Sequence, residues 1–294
     1  MEPRHYPVMS SEVIDLLRDQ PPGWVIDGTV GLGGHASRIL EELSQLRVLG
    51  MDVDGDSLEK AGKRLAKWGD RVILMHRNYT TCLDMHEIRE LDVRAVLVDP
   101  GISTMQLEDA ERGFSHNLDG PLDMRKDRSG GITAAEVVNT WDETRLAAVF
   151  REYGDVRRAG ELAKRIIETR LFTSIHTTGQ MKALVEKVFG SRVPRGVVHP
   201  AARVFQALRI CVNNELEGVE AFVLSLPDVV ESGGMILLLS FHSLEDRLAK
   251  RALRRLQAQG RVTCVKPFPI LPGEREVKEN PPSHSARLRA AEVA

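Results

Sequence analysis

The sequence predicts an α/β fold: a mostly parallel sheet, covered by helices on both faces and interrupted by a helical insertion. Three observations carry that expectation. Short apolar, β-branched runs alternate with amphipathic stretches through residues 11–99. The first run breaks into a glycine-rich turn, Asp27-Gly-Thr-Val-Gly-Leu-Gly-Gly-His35, which opens a helix. From about 105 to 204 the runs vanish, and one returns at Met235 to Ser240. Strands buried on both faces read as continuous apolar segments, which is the pattern of parallel sheets.

Taken in order, residues 11–17 predict a short helix ahead of a first strand, Trp24 to Asp27. Ile39, Leu40, Leu43 and Leu46 fall at helical spacing and predict a helix from about His35 to Leu46. Val48 to Asp52 reads as the second strand, Ser57 to Trp68 as a helix, and Val72 to His76 as the third strand. A helical stretch around 82–90 leads into a fourth strand, Ala95 to Asp99. Helical pieces follow at Ala134 to Asn139, Glu143 to Tyr153, Glu161 to Thr169 and Gly179 to Phe189. Phe205 to Leu226 predicts one long amphipathic helix, and Gly233-Gly234 punctuates before the central strand Met235 to Ser240. The economical division is a sheet domain of residues 1–106 and 205–294 with a helical insertion, 107–204, that serves substrate recognition. It leaves and returns near the carboxyl ends of the strands, where such folds bind ligands.

The 294 residues suffice for one large domain carrying an insertion, and 42% hydrophobic with 28% charged residues is ordinary for a globular chain. A net charge of −2 advertises no global attraction to nucleic acid, so any such contact needs a local basic patch. Cys82, Cys211 and Cys264 form no C-x-x-C pair and read as thiols of a reducing compartment. The nine histidines show no metal-ligand spacing, so no metal is expected. No apolar run reaches the roughly 18 residues of a membrane span, and the N-terminus has no signal-peptide core. A cytoplasmic enzyme without membrane contact is the expectation.

The glycine spacing bears on the cofactor. A dinucleotide fingerprint reads G-x-G-x-x-G, whereas this turn has Gly28, Gly31, Gly33 and Gly34. That arrangement is nearer to the S-adenosylmethionine loop, and it disfavours a nicotinamide dehydrogenase. Glycine turns after strands also occur with no ligand. Asp52 ends the second strand, where it either accepts both ribose hydroxyls or caps a turn with Asp54 and Asp56. Each charge-assisted bond to a ribose hydroxyl is worth about 1.5–3 kcal/mol. Tyr79 lies where a ring packs on adenine, or is a plain core tyrosine.

Asp99-Pro100-Gly101 closes the fourth strand, an end that in an S-adenosylmethionine enzyme lies beside the transferable methyl. It is similar to the Asp/Asn-Pro-Pro-aromatic loop of enzymes that methylate exocyclic amines of bases. The N4 lone pair of cytosine is delocalised into the ring, and an acceptor for its N–H pushes density back onto nitrogen. The sulfonium methyl is already activated, so that chemistry calls for no metal. Alternatively, Asp99 only binds cofactor or a backbone N–H. Arg112, Asp123 and Arg125 lie in turn-rich loops, either near the pocket mouth or in a salt-bridged surface loop. Ser243 with Glu245 and Asp246 is expected to cap the helix after Ser240, placing His242 at the same sheet end as Asp99. A Ser-His hydrolase is disfavoured, since no G-x-S-x-G elbow appears. Arg247, Lys250, Arg251, Arg254 and Arg255 form a basic helix face, normally a solvated one.

Together these segments resemble the bacterial ribosomal small-subunit RNA (cytosine-N4)-methyltransferase family, RsmH, formerly called MraW. The matching pieces begin with His5-Tyr-Pro-Val-Met, Asp27 to His35, Gly50-Met-Asp-Val-Asp54 and Asp99-Pro-Gly-Ile-Ser103. They continue with Glu111-Arg-Gly-Phe-Ser115, Asp119 to Arg125, Val212-Asn-Asn-Glu-Leu, Ser240 to Arg247 and Arg287-Leu-Arg-Ala-Ala. The resemblance spans essentially the whole chain. It implies a Rossmann-like methyltransferase core with a helical insertion, and S-adenosyl-L-methionine as donor with S-adenosyl-L-homocysteine as product. It also implies N4-methylation of a cytidine in the decoding region of small-subunit (16S) rRNA, with that RNA as partner; a homodimer is compatible with it. Carried over by position, the cofactor site comprises Gly33, Gly34, His35, Asp52, Tyr79, Asp99 and Gln106, with Asp99 and His242 as candidate catalytic residues. Tyr79 stands where the family commonly has phenylalanine, Gly160-Glu161 replaces an arginine pair, and Pro282-Ser-His284 replaces Arg-x-Arg. The alternatives are a DNA amino-methyltransferase, suggested by Asp99-Pro100, and a cofactor-binding ribosome assembly factor without turnover.

Overall fold

The structure, a computed structural model, describes residues 7–82, 86–192, 194 and 197–294, so His5 and Tyr6 of the first motif lie outside the described residues. The chain divides into two compact units, Met1–Gly101 with Leu216–Ala294, and Ile102–Glu215. The first unit holds seven strands: β1 (Gly23–Asp27), β2 (Leu46–Asp52), β3 (Val72–His76), β4 (Val93–Val98), β5 (Val230–Ser240), β6 (Val262–Cys264) and β7 (Arg287–Val293). They form one sheet in the order β3-β2-β1-β4-β5-β7-β6. The strands β1 to β5 run parallel, while β7 is antiparallel to both β5 and β6. This is a Rossmann-like α/β sheet, and strand order reverses between β1 and β4, the switch point where such folds receive ligands.

The alternation of side chains along each strand sorts the core into two layers. Val25, Val48, Ala95, Leu97, Leu237 and Leu288 pack on one face against α1 (Ser10–Leu17), α2 (Gly34–Glu42) and α3 (Gly55–Leu65). Ile26, Leu49, Val96, Leu238 and Ala291 point to the other face, where α4 (His86–Arg89), α11 (Val219–Ser225) and α12 (Ser243–Ala258) cover them. Both faces are dry, which is why these strands read as unbroken apolar runs.

The helical unit contains α5 (Thr104–Glu108), α6 (Ala134–Thr140), α7 (Glu143–Gly154), α8 (Ala159–Arg170), α9 (Thr178–Phe189) and α10 (Pro200–Asn213). These helices build their own core around Phe150, Leu162, Ile166, Leu184, Val204 and Leu208. One further helix, α13 (Glu274–Glu279), belongs to the sheet unit. No helix among the described residues is long and apolar enough to cross a membrane.

Several expectations need correction. The helix predicted to run to Leu46 ends at Glu42, and Leu46 instead begins β2. The single helix predicted over 205–226 is two: Asn214 adopts a left-handed conformation (φ 48°) after α10, and Gly218 (φ 73°) precedes α11. The boundary at 205 moves accordingly. The apolar face of α10, including Phe205, Ala207 and Leu208, is buried in the helical unit, which extends to Glu215. The strand β7 contains the Arg287-Leu-Arg-Ala-Ala motif and has no apolar run to predict it, because Arg287 and Arg289 interrupt the pattern. The stretch predicted as helix around 82–90 contains α4, and residues 83–85 lie outside the described residues.

Candidate active site

The glycine turn after β1 is fastened to both neighbouring strands by its backbone. Gly28 donates its N–H to the Leu97 carbonyl at 2.9 Å, and Val30 donates to Met51 at 2.8 Å. Gly31 and Gly33 take left-handed conformations with φ of 51° and 76°, which side chains other than glycine rarely adopt. A Cβ on Gly28 would lie 2.8 Å from the Tyr79 Cβ, so glycine there lets the Tyr79 loop close onto the turn. Gly33 and Gly34 are spaced against protein as well, a Cβ on each meeting Leu65 and Pro7 at 3.2 and 3.3 Å.

Carboxylates gather around that turn. Asp52 accepts from Gly31 N–H at 2.8 Å through one oxygen and from Asp54 N–H at 2.9 Å through the other. Its bond to the Asp54 N–H is the turn capping that the alternative anticipated. Thr29 accepts the Asp99 N–H on its hydroxyl at 2.7 Å, tying the first turn to the end of β4. His35, the second residue of α2, is 6% exposed, and its Nε2 lies 3.3 Å from Asp99 Oδ2. Asp99 Oδ1 and His35 Nε2 are buried atoms without a hydrogen-bond partner.

Asp27, at the tip of β1 and the first residue of the glycine motif, is 1% exposed and accepts Thr29 N–H at 3.2 Å. Burial pushes its pKa up to about 7, partly offset by His35 and the Thr29 N–H, while Asp99 and Asp52 add to the rise. An acid ending an otherwise apolar strand was the signal available in the sequence. Tyr79 sits in a 3-10 turn after β3, packed edge-on against Phe222 with centroids 5.0 Å apart.

Beyond β5, the cap of α12 differs from expectation. His242, not Ser243, is the N-cap, its Nδ1 accepting Glu245 N–H at 3.4 Å while Glu245 accepts Phe241 N–H at 2.9 Å. The His242 Nε2 lies 2.9 Å from Glu245 Oε1, so this ring is engaged with its own helix turn. Asp246 does not cap either. Burial would raise its pKa, but the Arg289 and Arg287 guanidiniums hold it below the ordinary carboxylate range. On the basic face, Arg247, Arg251, Arg254 and Arg255 are exposed, and Arg251 pairs with Glu220.

The remaining candidates belong to the helical unit. Gln106 is buried as the third residue of a capping box, accepting Ser103 N–H at 2.8 Å. Arg112 is buried and donates to the Arg125 and Lys126 carbonyls, and Arg125 forms a fork on Asp123. The Asp123–Arg125 pair accords with the salt-bridged alternative, whereas Arg112 is buried rather than part of a surface loop. Glu215, unremarked in the sequence beyond its motif, is buried between Arg209 (2.9 Å) and Lys126 (2.9 Å). Burial alone would raise its pKa, but the two cations outweigh it and hold Glu215 at about 2.

The sheet unit therefore collects Gly33, Gly34, His35, Asp52, Tyr79 and Asp99 at the carboxyl edge of β1, β2, β3 and β4. Comparison with known proteins accords with the motifs. A ribosomal RNA small subunit methyltransferase H from Synechococcus elongatus is 41% identical over 292 residues, covering 98% of this chain and 94% of that protein. Proteins of the same name from Thermobifida fusca and Persephonella marina are 40% and 39% identical, covering 99% and 98% of this chain and 93% and 98% of theirs. The family model of the MraW methylase family matches residues 2–294. The chain belongs to the MraW methylase family.

Proposed function

We propose that the chain binds S-adenosylmethionine at the ends of β1, β2 and β4 and methylates the exocyclic N4 of a cytidine in the decoding region of small-subunit rRNA. The observation that carries the reading is the buried Asp99 Oδ1, left without a protein partner beside the glycine turn at the sheet's switch point. The residues present fit such a donor. Asp52 sets a carboxylate at the end of β2 and Tyr79 a ring after β3, beside a turn whose Gly31 and Gly33 take left-handed conformations. The substrate class follows the names of the relatives, and the choice of N4 follows the resemblance in sequence.

When bound, the donor supplies a methyl already activated on a sulfonium. The residues of this chain supply position and charge. Asp99 divides its work: Oδ2 lies 3.3 Å from His35 Nε2, and Oδ1, without a hydrogen-bond partner in the protein, is assigned to accept the N–H of the incoming amine. That contact strengthens as the nitrogen lone pair localises, which lowers the barrier rather than only tightening binding. The target base must leave its stack at a cost of a few kcal/mol, less where it is unpaired. The helical unit and the basic face of α12 are assigned to holding the RNA meanwhile. The chain then functions in the cytoplasm, on the ribosomal subunit.

Labelled S-adenosylmethionine offered with under-modified small subunits or with duplex DNA tests the substrate. Label in rRNA is expected, and label confined to DNA would overturn the assignment. Asp99→Ala should lower transfer by about 100-fold or more while donor affinity changes by less than about tenfold. Full biological function in that variant without any transfer would instead favour an assembly factor.

A further inference from the structure

Asp27, His35 and Asp99 form a buried titratable hollow that the proposed mechanism uses only in part. Asp27 comes from the end of β1, His35 from α2 and Asp99 from beyond β4. The charged groups that act on Asp27 are these two and Asp52 from the end of β2: two carboxylates that disfavour its ionisation and one imidazole that favours it. Two of the hollow's buried atoms, Asp99 Oδ1 and His35 Nε2, have no hydrogen-bond partner. Asp27 itself has one N–H contact, from Thr29, whose hydroxyl in turn holds the Asp99 backbone. Nothing in the fold requires an acid at this place. An asparagine would accept the same Thr29 N–H, and an apolar residue would suit the end of a buried strand better.

We propose that Asp27 is a positioning residue that keeps a proton in this hollow when no donor is bound and releases it when a sulfonium cation arrives. The inference rests on the reading of the site as an S-adenosylmethionine pocket. Its physical basis is charge balance in a water-poor enclosure. Without a ligand, a second and third buried carboxylate charge are costly, and Asp27 stays neutral. A sulfonium repays the ionisation of Asp27, and its own binding is strengthened by it. This matches the burial of Asp27, which holds its carboxyl near the middle of the physiological pH range.

The same exchange gives the reaction's proton a destination. The N4–C bond forms with the nitrogen lone pair, and the S–C pair stays on sulfur, which becomes neutral. The N–H bonding pair remains on nitrogen as the proton passes to the Asp99 carboxylate and on, by way of His35, to the Asp27 carboxylate that the donor's charge had left ionised. Asp27 acts on the reacting atoms through His35 and Asp99, and touches neither donor nor base.

Calorimetric titration of the full chain tests the proposal. At about pH 6.5, S-adenosylmethionine and S-adenosylhomocysteine are each titrated in two buffers of different protonation enthalpy. The two ligands differ by one methyl and one positive charge, so their difference isolates the sulfonium. Release of roughly half a proton or more is expected with S-adenosylmethionine, and close to none with S-adenosylhomocysteine. Asp27→Asn should bind both ligands with no difference in proton exchange. Equal exchange for both ligands in the wild type, or an undiminished difference in Asp27→Asn, would overturn the inference. Should Asp27→Asn fail to fold, the wild type decides: its release must fade by about pH 9, where the proton is already gone, and persistence there refutes the role. Absence of any binding by either ligand would instead refute the reading of the site itself.

Discussion

Gly33 enters α2 with a φ of 76°, and a side chain at that place is strained whatever space surrounds it. Gly33→Val should therefore cost about 1–2 kcal/mol in chemical denaturation, and weaken donor binding more than it weakens the fold. Asp52 works differently, since its two oxygens each hold a backbone N–H of a different turn. Asp52→Ala leaves those donors without a charged acceptor, and about a tenfold or greater loss of S-adenosylmethionine affinity is expected by calorimetry. Asp27 adds a dependence on pH whose sign is fixed by its direction of shift. Its folded value, about 7, lies above the ordinary 3.8, so its favourable contribution is complete below about pH 4 and is lost as pH rises through 7. Asp27→Asn should raise the melting temperature at pH 8 and leave it nearly unchanged at about pH 4. The glycine turn, Asp52 and Asp99 were legible because strand, turn and acid recur at fixed places in such sheets. Asp27 was not singled out, because an acid inside a motif does not announce how dry its surroundings are.

The elements were legible where one physical rule governed them. The strands β1, β2 and β4 are largely buried, so their apolar runs stood out between amphipathic helices, and the edge strand β3 is apolar in sequence although half-exposed. By contrast, β7 carries exposed Arg287 and buried Arg289, the latter compensated by Asp246 of α12, which meets both guanidiniums. No local pattern reveals a partner 43 residues away. Arg289→Ala should leave the buried Asp246 undercompensated and cost a few kcal/mol, read as a lowered denaturation midpoint. Similarly, the break between α10 and α11 rests on left-handed Asn214 and Gly218, single positions within an otherwise continuous helical pattern. The N-cap of α12 was misplaced by one residue because serine is the commoner cap, whereas here the His242 ring and Glu245 form the reciprocal pair.

At the scale of the whole molecule, each unit carries its own core, and each carries a buried acid whose titration runs the opposite way. Glu215 secures the helical unit by tying the end of α10 to Lys126. Its folded value, about 2, lies below the ordinary 4.5, so its contribution is present above about pH 4.5 and is lost as pH falls through 2. Over that window the wild type should lose about 3 kcal/mol more than Glu215→Gln in denaturant titrations. The division into a sheet unit and a helical unit was legible from the loss of apolar runs after β4. Its second boundary was not, because α10 is amphipathic and equally suited to either core until packing decides.

The most direct measurement is transfer of an isotopically labelled methyl group from S-adenosylmethionine to small ribosomal subunits lacking the modification, followed by mass mapping of the rRNA nucleosides. The predicted result is label on the exocyclic nitrogen of a single cytidine in the decoding region, abolished by Asp99→Ala. Folded protein that binds the donor yet leaves every cytidine of that RNA unlabelled would contradict it.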